Sequence, residues 1–165
     1  MLMLVQSVAT VVLASLAAQD LRDRRLSNRA VLAFAMLYFV AAACAREGAA
    51  PLAGHVATAA AMLLLFAGMR HAGWLGGGDV KLAAAVFLWA GPALALPVLV
   101  IVGACGTLCG IAMLAGGARQ RRAAPARAAA VRGVRGVRGV PYGVALALGG
   151  ALAVWAPFPY AVSPT

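Results

Sequence analysis

The acidic residues of this chain are few and could do chemistry. Among 165 residues there are four, Asp20, Asp23, Glu47 and Asp79. Two carboxyl groups held together in a water-poor setting repel each other, which favours the sharing of one proton. The ionised member can then take a proton from water while the protonated member donates to a carbonyl oxygen. Asp20 and Asp79, which border long apolar runs, are therefore candidates for peptide-bond hydrolysis.

Each of these aspartates also has a structural explanation. Asp20 can pair with Arg24 one helical turn later, and Asp79 can serve as the N-cap of the next helix. Asp23 is surrounded by arginines, which favours a solvated ion pair. Neither histidine, His55 or His71, has a second ligand at metal spacing, so no metal site is expected.

The elements that would position these residues are membrane helices. Hydrophobic residues make up 64% of the chain and charged residues 11%, whereas a soluble domain carries about a quarter charged residues. A chain of this size cannot bury so much apolar surface in one water-soluble core. The chain has a net charge of +10, and its basic residues lie in short loops between apolar runs. This placement favours anionic lipid headgroups over nucleic acid as the partner of the basic residues.

The uncharged runs predict an all-α polytopic membrane protein with about six transmembrane helices. Each span needs roughly 20 apolar residues. The predicted spans lie near residues 1–19, 30–45, 50–69 and 140–156, with two more inside 82–118. As one helix, 82–118 would be about 55 Å long at 1.5 Å per residue, so it must fold back between Gly91-Pro92 and Pro97. Asn28 is predicted to be the N-cap of the second helix.

The basic residues predict the orientation of these spans. With the N-terminus outside, the loops 20–29, 70–81 and 116–139 lie inside. Of the 14 lysines and arginines, all except Arg46 fall in these inside loops, as the positive-inside rule requires. The chain is interpreted as a single membrane-embedded domain, 1–165, with 116–139 as a basic cytoplasmic loop near anionic headgroups.

Three segments resemble the type IV prepilin peptidases, which belong to the GxGD intramembrane aspartic peptidases. Residues 76–82 read Gly-Gly-Gly-Asp-Val-Lys-Leu and match the pattern G-x-G-D-x-K-L. Residues 20–28 are similar to the family's aspartate followed by Ile-Pro-Asn, although Leu26-Ser27 stands where the family usually has Ile-Pro. Residues 141–143, Pro-Tyr-Gly, are similar to a segment near the end of the short members.

The resemblance implies an activity and a set of site residues. The activity is cleavage of the leader peptide of a type IV (Flp-like) prepilin or pseudopilin at the cytoplasmic face of the bacterial inner membrane, without a metal or an organic cofactor. Asp20 and Asp79 become the catalytic pair. Substrate-binding or motif roles follow for Gly76, Gly78, Lys81, Asn28, Pro141, Tyr142 and Gly143.

The resemblance also distinguishes short members of the family from long ones. The chain lacks the cytoplasmic insertion with paired cysteines found in long members that also methylate the new N-terminus. It looks like the short prepilin peptidases of tight-adherence (Flp) pilus systems, so peptidase activity is expected and methyltransferase activity is not.

Two other functions fit a small membrane protein with two important aspartates. A proton-coupled transporter would place the carboxylates at the membrane midplane and would show discontinuous helices and internal repeats. The acids of this chain lie instead at the ends of the predicted spans. A non-catalytic assembly subunit of a pilus or secretion machine would tolerate the replacement of both aspartates.

Overall fold

The secondary structure confirms the all-α class. The computed structural model describes residues 1–23, 26–73, 75–123 and 142–156. Within these ranges the chain forms five α-helices, α1 (Leu2–Asp23), α2 (Asn28–Cys44), α3 (Ala49–His71), α4 (Gly77–Ala123) and α5 (Tyr142–Trp155). Helix α4 thus continues into the segment 116–139 that was predicted to be a loop, and 124–139 lie outside the described residues.

Three of the described helices are long and apolar enough to cross a membrane. They are α1, α3 and the part of α4 from Gly77 to Ala112. Helices α2 and α5 are apolar but shorter, with 17 and 14 residues. The membrane class therefore follows from length and composition, whereas the number of six spans is not confirmed.

The start of α2 corrects one prediction from the sequence. The N-cap of this helix is Ser27, whose backbone is extended, and Asn28 is the first helical residue. The side chain of Ser27 makes no capping hydrogen bond. The side chain of Asn28 is directed to a different helix, because its Oδ1 atom accepts a hydrogen bond from Lys81 in α4.

Helix α4 turns back at Gly91, as the length of its apolar run requires. Gly91 has φ of 61° and ψ of −173°, a conformation essentially restricted to glycine, and Pro92 lacks the N–H needed to continue the hydrogen-bond ladder. The part of α4 after this break, residues 92–123, is the returning segment. The ring of Tyr142 packs against Gly106 in this segment. The neighbouring Gly143 binds Asp20, so the returning segment reaches the same end of the bundle as Asp20. Pro97 lies inside the returning segment and does not break it.

Helices α1 and α5 are paired in opposite directions by polar contacts at both ends. The amide of Gln6, buried near the start of α1, donates to the carbonyl oxygen of Val154 at the end of α5 over 2.9 Å. At the other end, Gly143 at the start of α5 donates to Asp20 near the end of α1. The buried core between the helices is formed by large apolar side chains, among them Leu13, Leu16, Phe34, Tyr38, Phe87 and Leu146.

Candidate active site

Asp20 is a buried carboxylate near the end of α1. Its exposed fraction is 6%. Its Oδ2 atom accepts a hydrogen bond of 2.8 Å from the main-chain N–H of Gly143, the second residue of α5. The first N–H groups of a helix have no partner within the helix and carry partial positive charge. The start of α5 therefore orients the Asp20 carboxylate.

Gly143 is required at this contact because there is no room for a side chain. A Cβ atom on residue 143 would lie 2.6 Å from Asp20 Oδ2 and 2.7 Å from its Cγ. The position of Tyr142 beside it depends on another glycine, because a Cβ on Gly106 would lie 2.7 Å from the Tyr142 ring. Gly143 and Tyr142 thus belong to the structure around Asp20, whereas Pro141 lies outside the described residues.

Asp79 lies in the first turn of α4 and is half-buried. It is the third residue of this helix and not its N-cap, since α4 begins at Gly77. Its carboxylate accepts a hydrogen bond from the main chain of Gly76, as in the reciprocal half of a capping box. A Cβ atom on Gly76 would lie 2.9 Å from Asp79 Oδ2, so this glycine gives the carboxylate space beside the main chain.

The structure brings Asp20 and Asp79 into one cavity. The cavity has a volume of about 390 Å³, and both carboxylates line it. Its lining residues come from four helices and the segments beside them: Asp20, Leu26, Asn28, Arg70, Gly76, Gly77, Gly78, Asp79 and Lys81. A polar cavity of this size can hold water between the two carboxyl groups. Two interacting carboxylates with access to water can perform general acid–base hydrolysis.

The α1–α2 connection approaches α4 closely at Gly78. A Cβ on Gly78 would lie 3.1 Å from Leu26 Cβ and 3.3 Å from its Cδ1. Leu26 is one of the two residues where this chain departs from Ile-Pro. The Leu26 side chain packs on Gly78, so leucine at this position makes an apolar contact between the segments 20–28 and 76–82.

Lys81 and Asn28 join the two motifs by a side-chain hydrogen bond. Lys81 Nζ donates to Asn28 Oδ1 over 3.0 Å. Both residues also line the cavity. This contact holds the start of α2 against the start of α4, two residues beyond Asp79.

The hydrogen bond between Lys81 and Asn28 predicts a coupled loss of activity. Asn28→Ala and Lys81→Met are each expected to slow peptide-bond cleavage roughly fivefold, the equivalent of about 1 kcal/mol for one exposed hydrogen bond. The double variant should lose no more than the worse single variant, because both changes remove the same contact. Steady-state rates for the four proteins test this, and fully multiplicative losses would contradict a shared role.

Arg70 is a cavity residue that the sequence did not single out. It is an exposed residue in the last turn of α3, and its guanidinium group lies against Gly77 where a Cβ atom would otherwise be. The only hint in the sequence that Arg70 lies near the site was its position just before the glycine-rich segment 73–78. Asp23, in contrast, is exposed and is not among the residues that line the cavity.

No metal-binding cluster is present in the described part of the chain. Among residues 1–23, 26–73, 75–123 and 142–156, no group of three or more His, Cys, Asp or Glu side chains could hold a metal ion. The charged side chains that line the cavity are those of Asp20, Asp79, Arg70 and Lys81.

Comparison with known proteins gives one match. The model of the type IV leader peptidase family matches residues 7–111, a range that includes both aspartates and the glycines beside Asp79. No curated protein and no solved structure matches the chain.

Proposed function

The chain belongs to the type IV leader peptidase family, and we propose that it is a membrane aspartic endopeptidase in which Asp20 and Asp79 are the catalytic pair. The observation that carries the proposal is that these two carboxyl groups, far apart in the sequence, line one polar cavity.

The pair acts on a water molecule and on the scissile carbonyl group. The ionised carboxyl group accepts a proton from water as its oxygen attacks the carbonyl carbon. The protonated carboxyl group donates its proton to the carbonyl oxygen. The product of the attack is a tetrahedral intermediate. Breakdown of this intermediate transfers a proton to the leaving nitrogen and releases the two peptides. Because one proton is shared between the two carboxyl groups, the acid and base roles belong to the pair and not to a single residue.

The substrate is the leader of a prepilin or pseudopilin, of the kind found in tight-adherence (Flp) pilus systems. Its apolar helix packs beside the helices of the enzyme, and its leader enters the cavity just before that helix. Binding of the apolar helix therefore places the scissile bond near Asp20 and Asp79 and converts binding into orientation.

The active site faces the cytoplasm in the bacterial inner membrane. The support for this orientation is the charge distribution around the cavity. Arg70 and Lys81 line it, whereas Arg46 lies in the connection between α2 and α3, at the other end of both helices. Under the positive-inside rule the cavity end is cytoplasmic.

The position of the carboxylates favours a peptidase over a proton-coupled transporter. Asp20 lies in the last turn of α1, and Asp79 lies in the first turn of α4. A transporter would instead hold its protonatable groups at the membrane midplane, at breaks in the helices.

Reconstitution with a candidate prepilin tests the proposed function. The purified protein is mixed with the prepilin in lipid vesicles, and the products are identified by mass spectrometry. We expect one cut directly before the apolar segment, an unmethylated new N-terminus, and an unchanged rate when a chelator is present. Cleavage that stops on metal removal would contradict an aspartic mechanism, and the absence of any cleavage would favour the assembly subunit.

A further inference from the structure

A buried polar cluster lies at the end of the bundle opposite the cavity. It consists of Tyr38 in α2, Glu47 in the α2–α3 connection and His55 in α3, and we refer to it as the distal cluster. Tyr38 Oη donates to Glu47 Oε2 over 3.0 Å, and His55 Nε2 lies 3.6 Å from Glu47 Oε1. The rings of Tyr38 and His55 are stacked at 5.1 Å. The side chains of His55 and Glu47 are only 11% and 3% exposed.

The distal cluster contacts α4 at a carbonyl group that has lost its helical partner. In an α-helix the carbonyl oxygen of residue 88 accepts from the N–H of residue 92, but residue 92 is proline and has no N–H. His55 Nδ1 lies 2.8 Å from the Leu88 oxygen. Since a carbonyl oxygen can only accept, Nδ1 must carry the proton. His55 thus supplies the donor that Pro92 removes.

The break in α4 is shaped to receive this histidine. A Cβ atom on Gly91 would collide with the imidazole ring of His55. Trp89, next to Leu88, makes a second hydrogen bond between a ring N–H and a main-chain carbonyl group. Its Nε1 donates to the Phe34 carbonyl oxygen of α2 over 3.0 Å. The first segment of α4 is the part before the break, residues 77–90. Its end is attached to α3 through the Leu88 carbonyl group and to α2 through the Phe34 carbonyl group.

The first segment of α4 transmits this attachment to Asp79. Between Val80 and Ala90 almost every side chain is buried, so the segment cannot shift without disturbing its neighbours. Leu88 lies about 13 Å along the helix axis from Asp79, at 1.5 Å per residue. A displacement of about 1 Å at a reacting group can lower a rate by about a hundredfold.

We propose that His55 is a positioning residue for Asp79, because its hydrogen bond to the Leu88 carbonyl fixes the first segment of α4 at the break. This inference rests on the proposed peptidase function. It assigns a role to a largely buried histidine that lies on the far side of the bundle from the proposed chemistry.

Three replacements of His55 separate the hydrogen bond to Leu88 from the general packing of the ring. His55→Leu removes both ring nitrogens. His55→Asn keeps an N–H donor near the position of Nδ1, whereas His55→Gln places its amide near the position of Nε2 and leaves the Leu88 oxygen without a donor. His71→Leu, at the exposed end of the same helix, is the matched control.

The readouts are kcat and KM for prepilin cleavage in lipid vesicles. We expect His55→Leu and His55→Gln to lower kcat roughly 10- to 100-fold with KM changed less than about twofold, since the leader-binding cavity is intact. His55→Asn should recover most of the wild-type kcat, and His71→Leu should match the wild type. If His55→Leu does not accumulate in the membrane, the comparison of His55→Asn with His55→Gln tests the role of the hydrogen bond to Leu88.

Two outcomes would overturn this inference. A kcat for His55→Gln equal to that for His55→Asn would show that the donor to Leu88 has no role in positioning. A loss confined to KM would place His55 in substrate binding. A wild-type protein that cleaves no prepilin would instead refute the proposed function, and the two failures are thus distinguishable.

Discussion

Asp20→Asn and Asp79→Asn are each expected to slow leader cleavage at least about a hundredfold, because general acid–base catalysis by a positioned group contributes roughly 10²- to 10⁴-fold. Asparagine keeps the shape of the side chain but cannot exchange the proton. In Asp20→Asn the amide oxygen can still accept the hydrogen bond from Gly143, so the contact between α1 and α5 is retained. Initial rates on a purified prepilin, followed by mass spectrometry, measure the effect.

The exposed Asp23 provides the control for these two variants. It is the last residue of α1, three positions after Asp20, and it is outside the set of residues that line the cavity. Asp23→Asn should keep most of the wild-type rate. The double variant of Asp20 and Asp79 should be no slower than either single variant, because the pair works as a unit. A fully active Asp20→Asn or Asp79→Asn protein would refute the catalytic pair.

Gly143→Ala is expected to cause the second largest loss, without removing any chemical group. The new methyl group would lie 2.6 Å from Asp20 Oδ2, so either the carboxylate or the start of α5 must move. Movement lengthens the 2.8 Å hydrogen bond from the Gly143 N–H and displaces Asp20 from Asp79. We expect kcat to fall roughly a hundredfold, as for a displacement of about 1 Å at a reacting group.

Gly68→Ala is the matched control for this substitution. Gly68 lies inside α3, and a Cβ atom there would meet nothing within 4 Å. This variant should keep the wild-type rate, and the higher helix propensity of alanine should stabilise the helix by up to about 1 kcal/mol. Thermal unfolding and cleavage rates are measured for both proteins. Equal rates for the two variants would show that the contact between Gly143 and Asp20 does not position the carboxylate.

The break in α4 shows how far local chemistry predicts structure. The length of the apolar run required a return, and the residues that disfavour helix, Gly91-Pro92 and Pro97, placed it between them without fixing its position. The structure selects Gly91, and its surroundings give the reason. His55 from α3 occupies the space beside this glycine and donates to the carbonyl oxygen that Pro92 leaves without a partner. The spacing of residues along the sequence could not reveal this donor, because His55 lies 33 residues before Leu88.

The role of Asn28 shows the opposite case, in which a local rule was wrong. Asparagine before an apolar run is a favourable N-cap, and the rule predicted that Asn28 caps α2. The side chain instead accepts a hydrogen bond from Lys81, 53 residues away. The competing partner belongs to a different helix, so a rule based on neighbouring residues could not include it.

The sequence by itself determined the all-α membrane class and the pair of aspartates proposed for catalysis. The class follows from a local property, because apolar length sets where helices cross. The scarcity of acids limits the candidates, and the resemblance of the motifs implies the pair Asp20 and Asp79. Only the tertiary structure decided that Gly143 holds Asp20 across 123 residues, that Arg70 lines the cavity and that His55 binds the break in α4. Those contacts depend on which helix faces pack together, and helices that are apolar on nearly all sides carry little periodic signal to indicate their partners.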